Sequence, residues 1–168
     1  MKTICTVLIC ILLIFNFSTV MAIPLEKTFT DETYGYQIQY PAKWKARIYR
    51  SGIVIAEINS PTETAGFQIR FTKSDKSHAE YKRTYIAKYK KDLNAILINQ
   101  KERKINGMAA VEYNLKGGRN GTFYLKSYII FKNHSDNIFI IQAGSPFSQM
   151  GETDLLFSLM AESFRIYD

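Results

Sequence analysis

Residues 66–98 read GFQIRFTKSDKSHAEYKRTYIAKYKKDLNAILI, and inside this stretch the hydrophobic period changes. Over 66–73, Phe67, Ile69 and Phe71 alternate with Gln68, Arg70 and Thr72, the pattern of a strand with one buried face. Over 77–98 the apolar residues are Tyr81, Tyr85, Ile86, Tyr89, Leu93 and Ile96, whose steps of three and four make one stripe of a helix. Ser74 or Ser77 can cap its start, and Glu80, three residues after Ser77, has the place of a capping box. Away from the stripe stand Arg83, Lys88, Lys90 and Lys91. Lys82 sits at the apolar edge, where its stem can lie on nonpolar surface while the ammonium stays in water.

Upstream, the period is two. Residues 23–33 read as a lead-in. In 34–40 (YGYQIQY), Tyr34, Tyr36, Ile38 and Tyr40 face one way and Gln37 and Gln39 the other. Pro41 ends that strand because it has no N–H for the ladder. The turn Pro41-Ala42-Lys43-Trp44 sets the only tryptophan against the core. Segments 46–50 and 53–59 read as a hairpin turning at Ser51-Gly52, with a loop over 61–66.

Downstream, strands return. Residues 100–105 are short and charged, as suits an edge strand. Asn106-Gly107 signals a hairpin turn, and 108–116 alternates with Ala109, Val111, Tyr113 and Leu115 inward. Glu112 is then expected on the outward, solvated side, and Glu57, Glu63 and Asp136 are read as solvated too. The glycine-rich 117–121 (GGRNG) joins two strands rather than leading into a helix, so it reads as a turn and not a phosphate cradle. Residues 122–132 are apolar on both faces, and 136–143 (DNIFIIQA) suit a central strand covered on both sides. After a loop over 144–149, residues 151–163 read as a final helix burying Leu155, Leu156, Leu159 and Met160, before an extended tail. Runs of hairpins interrupted by single helices predict α+β rather than βαβ units.

The first 22 residues predict export. Lys2 precedes the uncharged apolar run 4–17, and Val20-Met21-Ala22 offers small residues for cleavage after Ala22. The run is shorter than the roughly 20 residues that span a bilayer, so no transmembrane segment is expected in the mature chain. Cys10 follows bulky Leu8-Ile9, which argues against lipid attachment. Both cysteines, Cys5 and Cys10, would leave with the signal, so the mature chain would have no disulfide and no thiolate. Lys2 is the only charge in the segment, so the net +7 of the whole falls to +6 without it. A basic exported protein suits acidic protein faces or anionic surfaces; export makes nucleic acid an unfitting partner. A monomer is expected.

Ile38-Gln39-Tyr40-Pro41, then two residues and Trp44, resembles the opening of the PsbP-like family, which includes bacterial envelope proteins of the DcrB type. The closing Ser163-Phe164-Arg165-Ile166 is similar to how those chains end. The resemblance covers about residues 29–168 and implies that 23–168 is one PsbP-like domain. It implies an α/β/α sandwich with a central, mainly antiparallel sheet, and a binding or accessory role without a shared catalytic motif. Such a fold hosts different functions.

Candidate chemistry is sparse. Ser135, His134 and Asp136 are consecutive in a turn, where neighbouring side chains diverge, so they do not form a catalytic set. His134 and Asp136 could supply at most two metal ligands, and no metal or cofactor is expected. Asn120-Gly121-Thr122 and Asn133-His134-Ser135 match the glycosylation sequon. The reading is an exported, non-catalytic accessory or binding protein that docks on another macromolecule of the envelope or exterior, periplasmic or secreted, with Arg83, Lys88, Lys90 and Lys91 as its docking residues. The alternative is a small-molecule binder with aromatics near Trp44 and the sheet edge lining a pocket. A third reading is a hydrolase with an unrecognised site, for which His134 is the candidate base.

Overall fold

A computed structural model describes residues 23–50, 52–132 and 136–167. The expected signal segment with Cys5 and Cys10 lies outside the described residues, as do Ser51, His134 and the second sequon.

Among the described residues, strands β1 (Leu25–Asp31), β2 (Tyr36–Pro41), β3 (Lys45–Ile48), β4 (Val54–Asn59) and β5 (Gly66–Lys73) precede helix α1 (His78–Asp92). Strands β6 (Ile96–Ile105), β7 (Met108–Gly117), β8 (Phe123–Phe131) and β9 (Asn137–Pro146) follow, then helix α2 (Met150–Glu162) and the short β10 (Arg165–Ile166). Seven strands form an antiparallel sheet in the order β3-β4-β5-β9-β8-β7-β6; β1, β2 and β10 form a second, with β2 in the middle. The fold is α+β, as expected.

The large sheet is covered on both faces. Tyr85 and Tyr89 of α1 pack on Val111, Tyr113, Leu115, Leu125, Ile129 and Ile140. On the opposite face, Leu156, Phe157 and Met160 of α2 share a core with Tyr36 and Ile38 of β2 and with Phe67, Ile69, Tyr128 and Phe139. Both faces of β8 and β9 are therefore covered, as their largely apolar sequences require. Trp44 closes a turn, its N–H donating to the Pro41 carbonyl at 3.0 Å, and is buried in the α2-side core.

Several local expectations are corrected. The lead-in is strand β1: Phe29 is buried, and Thr28, Phe29 and Thr30 lie opposite Gln39, Ile38 and Gln37. The strand containing Ile38 is not continuous with the large sheet but belongs to the small one. Helix α1 ends at Asp92 rather than running to Ile98. Leu93 donates its N–H to the Tyr89 carbonyl at 3.2 Å, and Asn94, at φ +48°, turns the chain out of the helix. Ile96 instead starts β6, which is an edge strand as expected but longer. Ser77 is the N-cap, accepting from the Glu80 N–H at 3.2 Å, while the Glu80 carboxylate lies 3.7 Å from Lys76. Asn106 and Gly107 both have positive φ, 46° and 84°, the geometry of a type I′ hairpin turn.

On β7, Val111, Tyr113 and Leu115 are buried as expected, but Ala109 is exposed, and Glu112 is buried rather than solvated. The stripe of α2 is Thr153, Leu156, Phe157, Met160 and Ala161, and Leu155 is exposed. The helix is rotated by about one residue from the expected face, and Phe164, wholly buried, continues the stripe beyond its end. No helix among the described residues is long and apolar enough to cross a membrane.

Candidate functional site

Helix α1 presents the four expected cations to solvent. Arg83, Lys88, Lys90 and Lys91 are all exposed, and among the described residues none of them makes an ion pair. They do not form one cluster. Seven residues apart, Arg83 and Lys90 share the side of the helix nearer β6. Arg83 there borders a hollow with Ile86, Gln100 and Tyr113. Lys88 lies on the other side, above β5, where it borders a groove of about 220 Å³. Lys82, at the apolar edge as expected, reaches Glu102 at 2.8 Å.

That groove is built by β5 and α1. Arg70 stands on the α1-facing side of β5, between Gln68 and Thr72, and lines the groove with Lys73 and Lys76. Its Nη1 donates to the Tyr89 hydroxyl at 3.0 Å and to Gln142 Oε1 at 3.3 Å. Gln142 Nε2 donates to the same hydroxyl at 2.7 Å, so the Tyr89 oxygen accepts twice. The Arg70 Nε is buried and has no partner. Tyr81, Tyr85 and Tyr89 form the helix wall, with Ile53 and Ile140 opposite. The Tyr81 and Tyr85 rings lie 6.5 Å apart and inclined by 23°, and Tyr85 and Tyr89 are 4.7 Å apart. Burial, and then Tyr89, push the Tyr85 phenol well above its ordinary value, so it stays a neutral wall at any working pH.

A second polar cluster lies under α2, and sequence reasoning missed it. The Lys126 ammonium has three acceptors: Asp154 Oδ1 at 2.7 Å, Ser158 Oγ at 2.8 Å and Glu112 Oε1 at 3.2 Å. Arg103 pairs with Glu112 and reaches Glu162 at 3.3 Å; Tyr124 donates to Asp154. Desolvation works to raise the Asp154 carboxyl, but its bonds from Lys126 and Tyr124 and the nearby Lys126 and Arg103 charges hold it below its ordinary value. The neighbouring Lys126 and Ser158 superficially suggest a nucleophile and base. The three N–H donors of Lys126 all have acceptors within the protein, two of them carboxylates, so none is left to serve a substrate. The cluster is a structural ion network. Its signal in the sequence was Lys126 as the one charge inside a largely apolar strand, a charge that requires a partner when buried.

The other candidates stay apart. His78 begins α1 and stacks on Phe131, with ring centroids 3.8 Å apart. Glu57 accepts from Tyr49 and Gln68, each at 2.7 Å. Asn120 is exposed, at φ +61°, in the turn between β7 and β8. Among the described residues no group of three metal-ligating side chains occurs. An aromatic-lined groove does exist, but not beside Trp44: it lies on the opposite side of the large sheet, along the α1 tyrosines.

No family model matches this chain, and no curated protein matches it in sequence. Solved structures do resemble it. Cyanobacterial PsbP (CyanoP) from Synechocystis sp. PCC 6803 superposes with a TM-score of 0.65 at 17% identity, over 84% of this chain and 92% of that one. LpqN, involved in cell envelope biogenesis of Mycobacterium tuberculosis, gives 0.65 at 12% identity, over 84% and 90%. The Saccharomyces cerevisiae Ran-binding protein Mog1p gives 0.62 at 10%, over 84% and 95%. The chain has the Mog1/PsbP-like fold, as the resemblance implied, and shares it with a Ran-binding protein and a protein involved in cell envelope biogenesis.

Proposed function

We propose that this protein is an exported accessory protein without catalytic activity, which docks through the outer face of α1 on an acidic face of another macromolecule of the cell envelope or exterior. The observation that carries the reading is the set of exposed, unpaired cations Arg83, Lys88, Lys90 and Lys91 on one helix. The added support is the fold, shared with a protein named for binding a partner and one named for envelope biogenesis. The apolar segment 4–17 and the small residues before Ile23 support export with cleavage after Ala22.

The test uses the full chain with a C-terminal tag in its native host. N-terminal sequencing of the exported form should begin at Ile23. Crosslinking and mild purification should recover one dominant partner. That recovery should fall with K88E/K90E/K91E and with rising salt, because exposed charges are screened within about 10 Å at 0.1 M. Equal recovery by the charge-reversed protein would sink docking through α1.

A further inference from the structure

We propose that the groove between α1 and β5 binds a small organic carboxylate with a flat, apolar body, its carboxylate paired with Arg70. The groove shares Lys88 with the docking face of α1 but is centred on Arg70, and it is tested on the isolated protein, with no partner present.

Arg70 is the centre of the argument. Surface arginines spread their five N–H donors into water. This one is half-buried, with its Nη1 fixed by Tyr89 and Gln142, while its Nε is buried and unpartnered. No ion pair with a carboxylate neutralises it among the described residues. A buried donor of a charged group left unmade is costly, and because Arg70 also lines the groove, an anion seated there meets its charge. The neutral Tyr89 and Gln142 hold the guanidinium in place without cancelling its charge.

The rest of the groove selects the ligand. Its lining includes Lys73, Lys76 and Lys88 and contains no aspartate or glutamate. Only Lys76 has an acidic partner, the exposed Glu80 at 3.7 Å. The field therefore favours an anion. The walls are not those of an inorganic anion site, since three tyrosine rings and two isoleucines stand among the cations. Aromatic faces favour stacking of a flat ring. The volume of about 220 Å³ is below that of drug-sized sites and suits a single ring bearing one acid group.

The probes are benzoate, its neutral isostere benzamide, and inorganic phosphate, titrated into ¹⁵N-labelled protein and followed by backbone amide shifts. Benzoate should give saturable shifts centred on Arg70, Thr72, Tyr85 and Tyr89. Benzamide should bind at least about tenfold more weakly, as should benzoate to R70Q. K88Q, at an exposed position where folding is not at risk, should weaken benzoate about two- to threefold, in line with one exposed charge. Benzoate and benzamide binding alike, shifts centred elsewhere, or benzoate affinity unchanged in both variants would overturn the proposal. Phosphate binding as tightly as benzoate would overturn the ligand class.

Discussion

Lys126 and Glu112 approach to 3.2 Å across the β7–β8 pair, and their side chains are only 2% and 4% exposed. Neither charge has meaningful access to water, so each depends on the other and on Asp154, Arg103 and Asn114 around them.

Breaking this pair from one side leaves a charge buried. Lys126→Met should destabilise the protein by about 3 kcal/mol, and Glu112→Leu by a similar amount. The double variant Glu112→Leu/Lys126→Met should be less destabilised than the two losses added together, because the uncompensated charge disappears. Urea unfolding of the four proteins measures the coupling, and strict additivity would show that the two residues do not depend on each other.

Asp154 gives the network a pH dependence of known sign. Its carboxyl is held below the ordinary value in the folded protein, so the folded state binds fewer protons than the unfolded one. The stabilisation is present above about pH 4, the ordinary aspartate value, and is lost as the pH falls through the depressed one. The side chain is 45% exposed, so its share is expected to stay under about 1 kcal/mol. Asp154→Asn should lose stability at pH 7, and the gap from the parent should narrow at pH 3. A gap that widens towards acid would reverse the sign.

The rotation of α2 is tested by two truncations. Phe157 is fully buried against the sheet, and Phe157→Ala should cost about 3–5 kcal/mol. Leu155, at 44% exposure, should cost well under about 1 kcal/mol when changed to alanine. The opposite ranking in thermal unfolding would restore the stripe expected from hydrophobicity.

Gly35 ties the chain's end to its beginning. It sits at φ +65°, its carbonyl accepts from the Tyr167 N–H at 2.8 Å, and a Cβ there would lie 2.7 Å from the Tyr167 carbonyl oxygen. Gly35→Ala should cost about 1–3 kcal/mol and release β10 from β2. Hydrogen exchange should then accelerate at Ile166 and Tyr167 while the large sheet stays protected; unchanged exchange there would contradict the contact.

Much of the fold was legible because it is written in neighbouring residues. The change of period around residue 77, the Asn106-Gly107 turn and the unbroken apolar run of β9 are local signals, and each corresponds to an element. The misreadings fall where a distant element decides. Glu112 does alternate away from Val111 and Tyr113, so its side of the strand was correctly read. Nothing in the alternation says that α2 covers that side. The 93–98 segment is apolar at both periods, and Asn94 with its positive φ, together with pairing to β7, settles it as strand.

The candidate site divides in the same way. That Arg83, Lys88, Lys90 and Lys91 lie off the apolar stripe follows from helical spacing alone, since position on a helix fixes direction. That Lys88 joins Arg70, Lys73 and the three tyrosines in one groove does not, because Arg70 and Lys88 belong to different elements with different periods. Local periodicity determined which faces are apolar and which are charged. Only the packing of α1 and α2 on opposite sides of the sheet decided which charges meet, because burial and pairing depend on contacts between residues far apart in the chain.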